Sequence, residues 1–116
     1  METLKDEQLK RMLNEMSELL KKVYKDKLKA VILYGSVARG TATEDSDVDI
    51  MVLIDGNDQE LRTYEENLSD VSTDISIKYY KVFSIMDVSY QEYIRWKNVS
   101  PFYKNVSQEG VVLYAA

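Results

Sequence analysis

Apolar residues recur at steps of three and four from Leu9 through Met12, Leu13, Met16, Leu20, Val23 and Tyr24, the stripe of an amphipathic helix packed on a core. Thr3 and Asp6 have the spacing of a capping box and predict where that helix begins. Lys21, Lys22, Lys25, Lys27 and Lys29 crowd its end, where positive charge suits a helix C-terminus. The short apolar run Lys29–Tyr34, stopped by Gly35, predicts a buried strand. Ser36–Gly40 reads as one helical turn and Thr41–Ser46 as a polar loop. Asp47–Ile54 predicts a second strand, apolar apart from two aspartates near its start. After the turn residues Asp55–Asp58, the spacing of Leu61, Tyr64, Leu68 and Val71 predicts a helix over Gln59–Val71. Asp74–Tyr79 alternates polar and apolar with period two, which predicts a third strand with one exposed face. Ser89 and Glu92 are placed to cap a helix through Tyr93, Ile94 and Trp96. Ser100-Pro101 opens another, with proline where its missing N–H does no harm; Gly110 ends it, and Val111–Tyr114 forms a closing strand. This order predicts a single α/β (α+β) domain over residues 1–116, a small mixed sheet flanked by helices.

Composition narrows the chemistry. A chain of 116 residues, 45% hydrophobic and 30% charged, supports one modest core. No stretch approaches the roughly 18 apolar residues of a membrane span, and the opening METLKDEQLK has no secretory apolar run, so a cytoplasmic protein is expected. With Cys 0 and His 0, disulfides, thiolate nucleophiles, imidazole bases and His or Cys metal sites are all excluded. Any acid, base or metal ligand must come from carboxylates, Lys, Tyr, hydroxyls or backbone. A net charge of -5 argues against direct binding of long nucleic acids, whose affinity rests on basic side chains at phosphates.

The informative spacing is Gly35-Ser36, then ten residues, then Asp47-Val48-Asp49. Residues two apart on a strand share a face, so the two carboxylates can converge. Two such charges about 5 Å apart at an effective dielectric near 20 repel by roughly 3 kcal/mol. A divalent cation such as Mg²⁺, which shares one or two carboxylates with substrate phosphates, offsets that repulsion. Glycine lets the backbone approach a ligand, and the amides and Ser36 hydroxyl beside it suit phosphate oxygens. Asp74, at the start of the expected third strand, is the candidate for a third metal carboxylate; a simple turn residue is the alternative. Arg39 either pairs with phosphate or caps its turn.

Gly35-Ser36-Val37-Ala38-Arg39-Gly40-Thr41, followed by Ser46-Asp47-Val48-Asp49-Ile50, resembles the signature of the polymerase-β-like nucleotidyltransferase superfamily. The nearest likeness is to the minimal nucleotidyltransferases (MNT) of MNT/HEPN toxin–antitoxin pairs. The ending Ser100–Val106 and Glu109–Tyr114 resembles their tail, so the likeness spans nearly the whole chain. The resemblance implies a polymerase-β-like fold, ATP as co-substrate, Mg²⁺, and transfer of AMP to a hydroxyl with loss of pyrophosphate. It implies Asp47, Asp49 and Asp74 as catalytic and metal-binding carboxylates, and Gly35, Ser36 and Arg39 as nucleotide-binding residues. The implied partner is a HEPN-domain ribonuclease toxin, adenylylated on a tyrosine by the antitoxin of a type VII pair, in a homo- or hetero-oligomer. Two alternatives stay open: an antitoxin that masks the toxin without catalysis, and a nucleotidyltransferase acting on a small molecule such as an antibiotic. The tyrosines and Trp96 of the last third fit either an interface or, on their helical spacing, a core.

Overall fold

The structure is a computed structural model that describes residues 7–116; the Thr3–Asp6 capping box lies outside the described residues. Helix α1 (Glu7–Tyr24) leads through a short 3₁₀ turn into β1 (Leu28–Tyr34), the one-turn helix α2 (Gly35–Arg39) and β2 (Val48–Ile54). Helices α3 (Asp58–Arg62) and α4 (Glu65–Tyr79) follow, then β3 (Phe83–Ser89), α5 (Tyr90–Trp96), α6 (Pro101–Glu109) and β4 (Val111–Ala115). The four strands lie in the order β3-β2-β1-β4. β1 is antiparallel to both β2 and β4, whereas β2 and β3 are parallel and need the α3–α4 crossover between them. The mixed sheet flanked by helices is the architecture expected from the sequence.

Both sheet faces are covered. Val31, Leu33, Ile50, Val52, Ile54 and Phe83 pack with the apolar stripes of α1 and α4, including Met16, Leu20, Leu68, Val71 and Ile75. Ala30, Ile32, Met51, Leu53 and Val88 face the other way, onto Tyr93 of α5 and Val106 of α6. The caps of the last two helices are as the sequence reads: the hydroxyls of Ser89 and Ser100 accept from the backbone N–H of Glu92 and Tyr103.

The third strand lies elsewhere than expected. Residues 74–79 are the last turns of α4, and the strand is Phe83–Ser89. Ile75 follows Val71 by four residues and prolongs the buried stripe Leu68–Val71–Ile75; this tertiary contact outweighs the period-two pattern. Lys78 and Tyr79 then bond Glu15 of α1, and the helix stops at Tyr80 in the left-handed region (φ 51°). The expected helix over Gln59–Val71 is in fact two, with Asn57 capping the first by accepting from the Glu60 N–H at 2.9 Å.

β3 carries one aspartate, Asp87, on the α1 side of the sheet. The Tyr24 hydroxyl donates to its Oδ2 at 2.9 Å, and the Tyr24 ring lies 4.7 Å from that of Tyr64. Burial pushes the Asp87 carboxyl above its ordinary value, and the Tyr24 hydrogen bond partly opposes that rise. Tyr24→Phe is expected to cost about 1 kcal/mol by removing this donor. A carboxyl raised on folding binds its proton more tightly in the native chain. Stability therefore falls as pH climbs through the raised value, and the fall is steeper in Tyr24→Phe. Urea denaturation of both proteins across the acid range measures this; parallel pH profiles would refute it.

Candidate active site

Two turns bring the chain's chemistry to one end of the sheet. β1 ends at Tyr34, and Gly35 takes a positive φ of 77° to redirect the chain into α2. Gly40, also left-handed, closes α2 with its N–H shared between the Ser36 and Val37 carbonyls. The polar loop returns through a Thr43–Ser46 turn, in which the Thr43 N–H donates to the Ser46 hydroxyl at 2.9 Å. β2 then starts where the Val48 N–H meets the Val82 carbonyl at 2.9 Å.

The β1–β2 register sets Asp49 opposite Tyr34, next to Gly35. The contact is close enough that a Cβ on Gly35 would overlap an Asp49 carboxylate oxygen. Asp49 is half-buried, and its carboxyl is pushed up, first by burial and next by the charge of Asp47, with Arg39 pulling the other way. The Tyr34 hydroxyl is likewise pushed up by burial and by Asp49. Asp47, Asp49, Arg39 and Tyr34 thus share one electrostatic neighbourhood beside Gly35 and Ser36. Arg39 also pairs with Glu109 of α6 at 3.5 Å, and both side chains are exposed. A cleft of about 190 Å³ lies between α2 and α6, lined by Tyr34, Gly35, Arg39, Phe102, Asn105 and Glu109.

Asp74 does not join the pair. It lies exposed on α4, in the helical layer against the sheet face opposite to Asp49. The positions of β3 that share Asp49's face are Ser84, directly opposite it in register, and Met86, whose thioether meets the Tyr34 hydroxyl at 3.5 Å. Asp87 points the other way, to Tyr24. Among the described residues no group of three carboxylates is placed to hold a metal. Of the six residues expected in the site, the structure gathers Gly35, Ser36, Arg39, Asp47 and Asp49.

Sequence reasoning missed Tyr34, Phe102 and Glu109. The position of Tyr34 is recoverable by pairing the two flanking strands antiparallel; Phe102 and Glu109 arrive through the packing of α6, which leaves no local signal. The aromatic residues of the last third divide: Tyr93 is buried, Tyr90 and Tyr103 are half-buried, and Trp96 and Phe102 stay exposed.

The donor set fits a single Mg²⁺. Two hard oxygen donors stand together, the Asp49 carboxyl is raised first by burial and then by the charge of Asp47, and a cation whose remaining ligands come from phosphate and water would favour its ionised form.

The fold and this end of the sheet define a nucleotide-transferring domain, and the chain belongs to the nucleotidyltransferase domain family, whose match covers residues 9–111. It is 34% identical over 102 residues to “Putative protein adenylyltransferase MJ0604” of Methanocaldococcus jannaschii, covering 88% of this chain and 94% of that relative. A second protein of that organism with the same description, MJ1379, is 41% identical over 78 residues, 57% of this chain and 78% of its own. In solved structures the fold recurs in a toxin–antitoxin complex with AMP-PNP, at TM-score 0.59 and 20% identity over 90% of this chain and 73% of that one. It recurs in a complex of tri-AMPylated Shewanella oneidensis HEPN toxin with MNT antitoxin, at TM-score 0.55 and 16% identity over 92% and 72% of the two chains. At these identities the structural likeness is one of fold.

Proposed function

We propose that this chain transfers AMP from ATP to a hydroxyl of a partner protein, a tyrosine of a HEPN-domain ribonuclease toxin, and acts in the cytoplasm as its antitoxin. The observation that carries this reading is the contact of Asp49, with Asp47 in its electrostatic neighbourhood, against the Gly35 turn, where a phosphate could rest. The family and the description of the two archaeal relatives support nucleotidyl, and specifically adenylyl, transfer. The toxin–antitoxin complexes that share the fold support the partner.

Each residue then has a task. The backbone of Gly35 and Ser36 and the Ser36 hydroxyl hold phosphate oxygens. Arg39 exchanges its exposed contact with Glu109 for the triphosphate. Asp47 and Asp49 hold Mg²⁺, which when bound supplies charge neutralisation for the transferring phosphoryl group. Among the described residues no other carboxylate completes that pair, so the acceptor hydroxyl loses its proton to solvent.

The test is incubation with labelled ATP, Mg²⁺ and the protein encoded beside it, followed by mass spectrometry of the partner. One or more AMP groups on a tyrosine are expected; absence of any AMP adduct overturns the assignment. A second reading, masking of the toxin without transfer, is favoured by one observation: β3 brings no carboxylate to Asp49. It requires that the partner be neutralised without ATP.

A further inference from the structure

The strand β3 forms one edge of the sheet, and beside the Asp47–Asp49 pair the helical cover of this face leaves a partly exposed strip. Alternation along β3 turns Phe83, Ile85 and Asp87 toward α1 and α4 and leaves Ser84 and Met86 on the face of Asp49; Val82 immediately precedes the strand, its carbonyl accepting from the Val48 N–H. Val82 is 57% exposed, Met86 37%, and Ser84 is exposed as well. α5 and α6 cover this face at Met51, Leu53 and Val88, and the Met86 thioether meets the Tyr34 hydroxyl at 3.5 Å, leaving Val82 and Ser84 open to solvent. The strip is neutral and mostly apolar, and it adjoins the carboxylate pair.

Phosphoryl transfer places the attacking and leaving oxygens roughly in line across the phosphorus. If the phosphates rest on the Gly35–Ser36 turn at the end of β1, pyrophosphate departs on that side. Asp49 of β2, with Asp47 just before the strand, lies in the middle. The attacking oxygen must then enter from the β3 side. Resting on the nucleotide-transfer reading above, we propose that Val82, Ser84 and Met86 form the acceptor subsite, and that this strip selects a phenol over an aliphatic alcohol.

Two features give that selectivity. Val82 and Met86 offer apolar contact to an aromatic ring, and thioether–aromatic contacts are favourable. Ser84, opposite Asp49, supplies no base, so the acceptor must be acidic in its own right; a tyrosine hydroxyl titrates near 10, several units below an alcohol. In the reaction the phenolic oxygen bonds to the α-phosphorus while the bond to the bridging oxygen breaks. Pyrophosphate leaves with that electron pair, and the phenolic proton passes to water.

The test is an NMR titration of the whole chain, methyl-labelled at Val and Met, with Mg²⁺ and α,β-methylene ATP. N-acetyltyrosinamide is then added, and N-acetylserinamide in a parallel sample. The analogue is expected to shift the Gly35 and Ser36 amides, and the tyrosine probe to shift the Val82 and Met86 methyls saturably. The serine probe is expected to leave them in place, and Val112, exposed on the far edge strand β4, is expected to respond to neither. Met86→Ala is expected to weaken the tyrosine probe at least threefold. Shifted amides with unmoved Val82 and Met86, equal shifts from the serine probe, or an unaltered affinity in Met86→Ala overturn the acceptor assignment alone. Unmoved Gly35 and Ser36 amides overturn the nucleotide site itself, and the acceptor subsite with it.

Discussion

Replacing Asp47 and Asp49 together by asparagine is expected to lower AMP transfer about 1000-fold, while Asp74→Asn and Asp87→Asn each stay within twofold of the unaltered chain. Charge stabilisation by a metal is worth several kcal/mol, and about 1.4 kcal/mol corresponds to each factor of ten in rate. Asparagine keeps the size of the side chain but removes the anion that the cation needs. Asp74 stands exposed on α4 and Asp87 bonds Tyr24 on the opposite sheet face, so neither reaches the reacting atoms. The double variant should also unfold at a somewhat higher temperature in the absence of divalent cation. Asp49 is held half-buried against Asp47, and that arrangement opposes its ionised form until a cation arrives. Initial rates of AMP transfer and thermal unfolding in chelator measure both effects. Loss of transfer in Asp74→Asn equal to that of the double variant would sink the assignment of the site to β2.

How much of this was legible in the amino-acid order follows from where each signal acts. α1, β1, β2 and the closing α6–β4 segment are written locally: a stripe at steps of three and four, two apolar runs, and Ser-Pro and Gly at the two ends of α6. The Gly35-Ser36 and Asp47-x-Asp49 juxtaposition was legible because one antiparallel pairing of neighbouring strands brings Asp49 to the Gly35 turn. The third strand was not. Asp74–Tyr79 satisfies a strand pattern and a helix pattern at once, and the choice was made by Ile75 packing on the core and Lys78 and Tyr79 reaching Glu15, sixty residues or more earlier in the chain. Moving the strand to Phe83–Ser89 also changed which residue faces the carboxylates. Where Asp74 was expected at the start of the third strand, the register sets Ser84 opposite Asp49, so the expected carboxylate is replaced by a hydroxyl.

Gly35→Ala and Gly40→Ala form a pair whose difference isolates the site. Both glycines sit at nearly the same positive φ, 77° and 78°, and alanine there costs about 1–2 kcal/mol from backbone strain alone. The surroundings differ. A Cβ at Gly40 meets nothing within 4 Å, whereas one at Gly35 overlaps the Asp49 carboxylate. Both variants should therefore lose similar stability in urea denaturation, with Gly35→Ala somewhat worse. Only Gly35→Ala must displace Asp49 from the turn, and with it the oxygen meant for the metal. Its affinity for AMP-PNP in the presence of Mg²⁺ should fall tenfold or more, about 1.4 kcal/mol, beyond any loss in Gly40→Ala. Calorimetric titration of the two folded variants makes the comparison. Equal affinities would mean that Asp49 can leave Gly35 without consequence, and the bend would then have no part in holding the nucleotide.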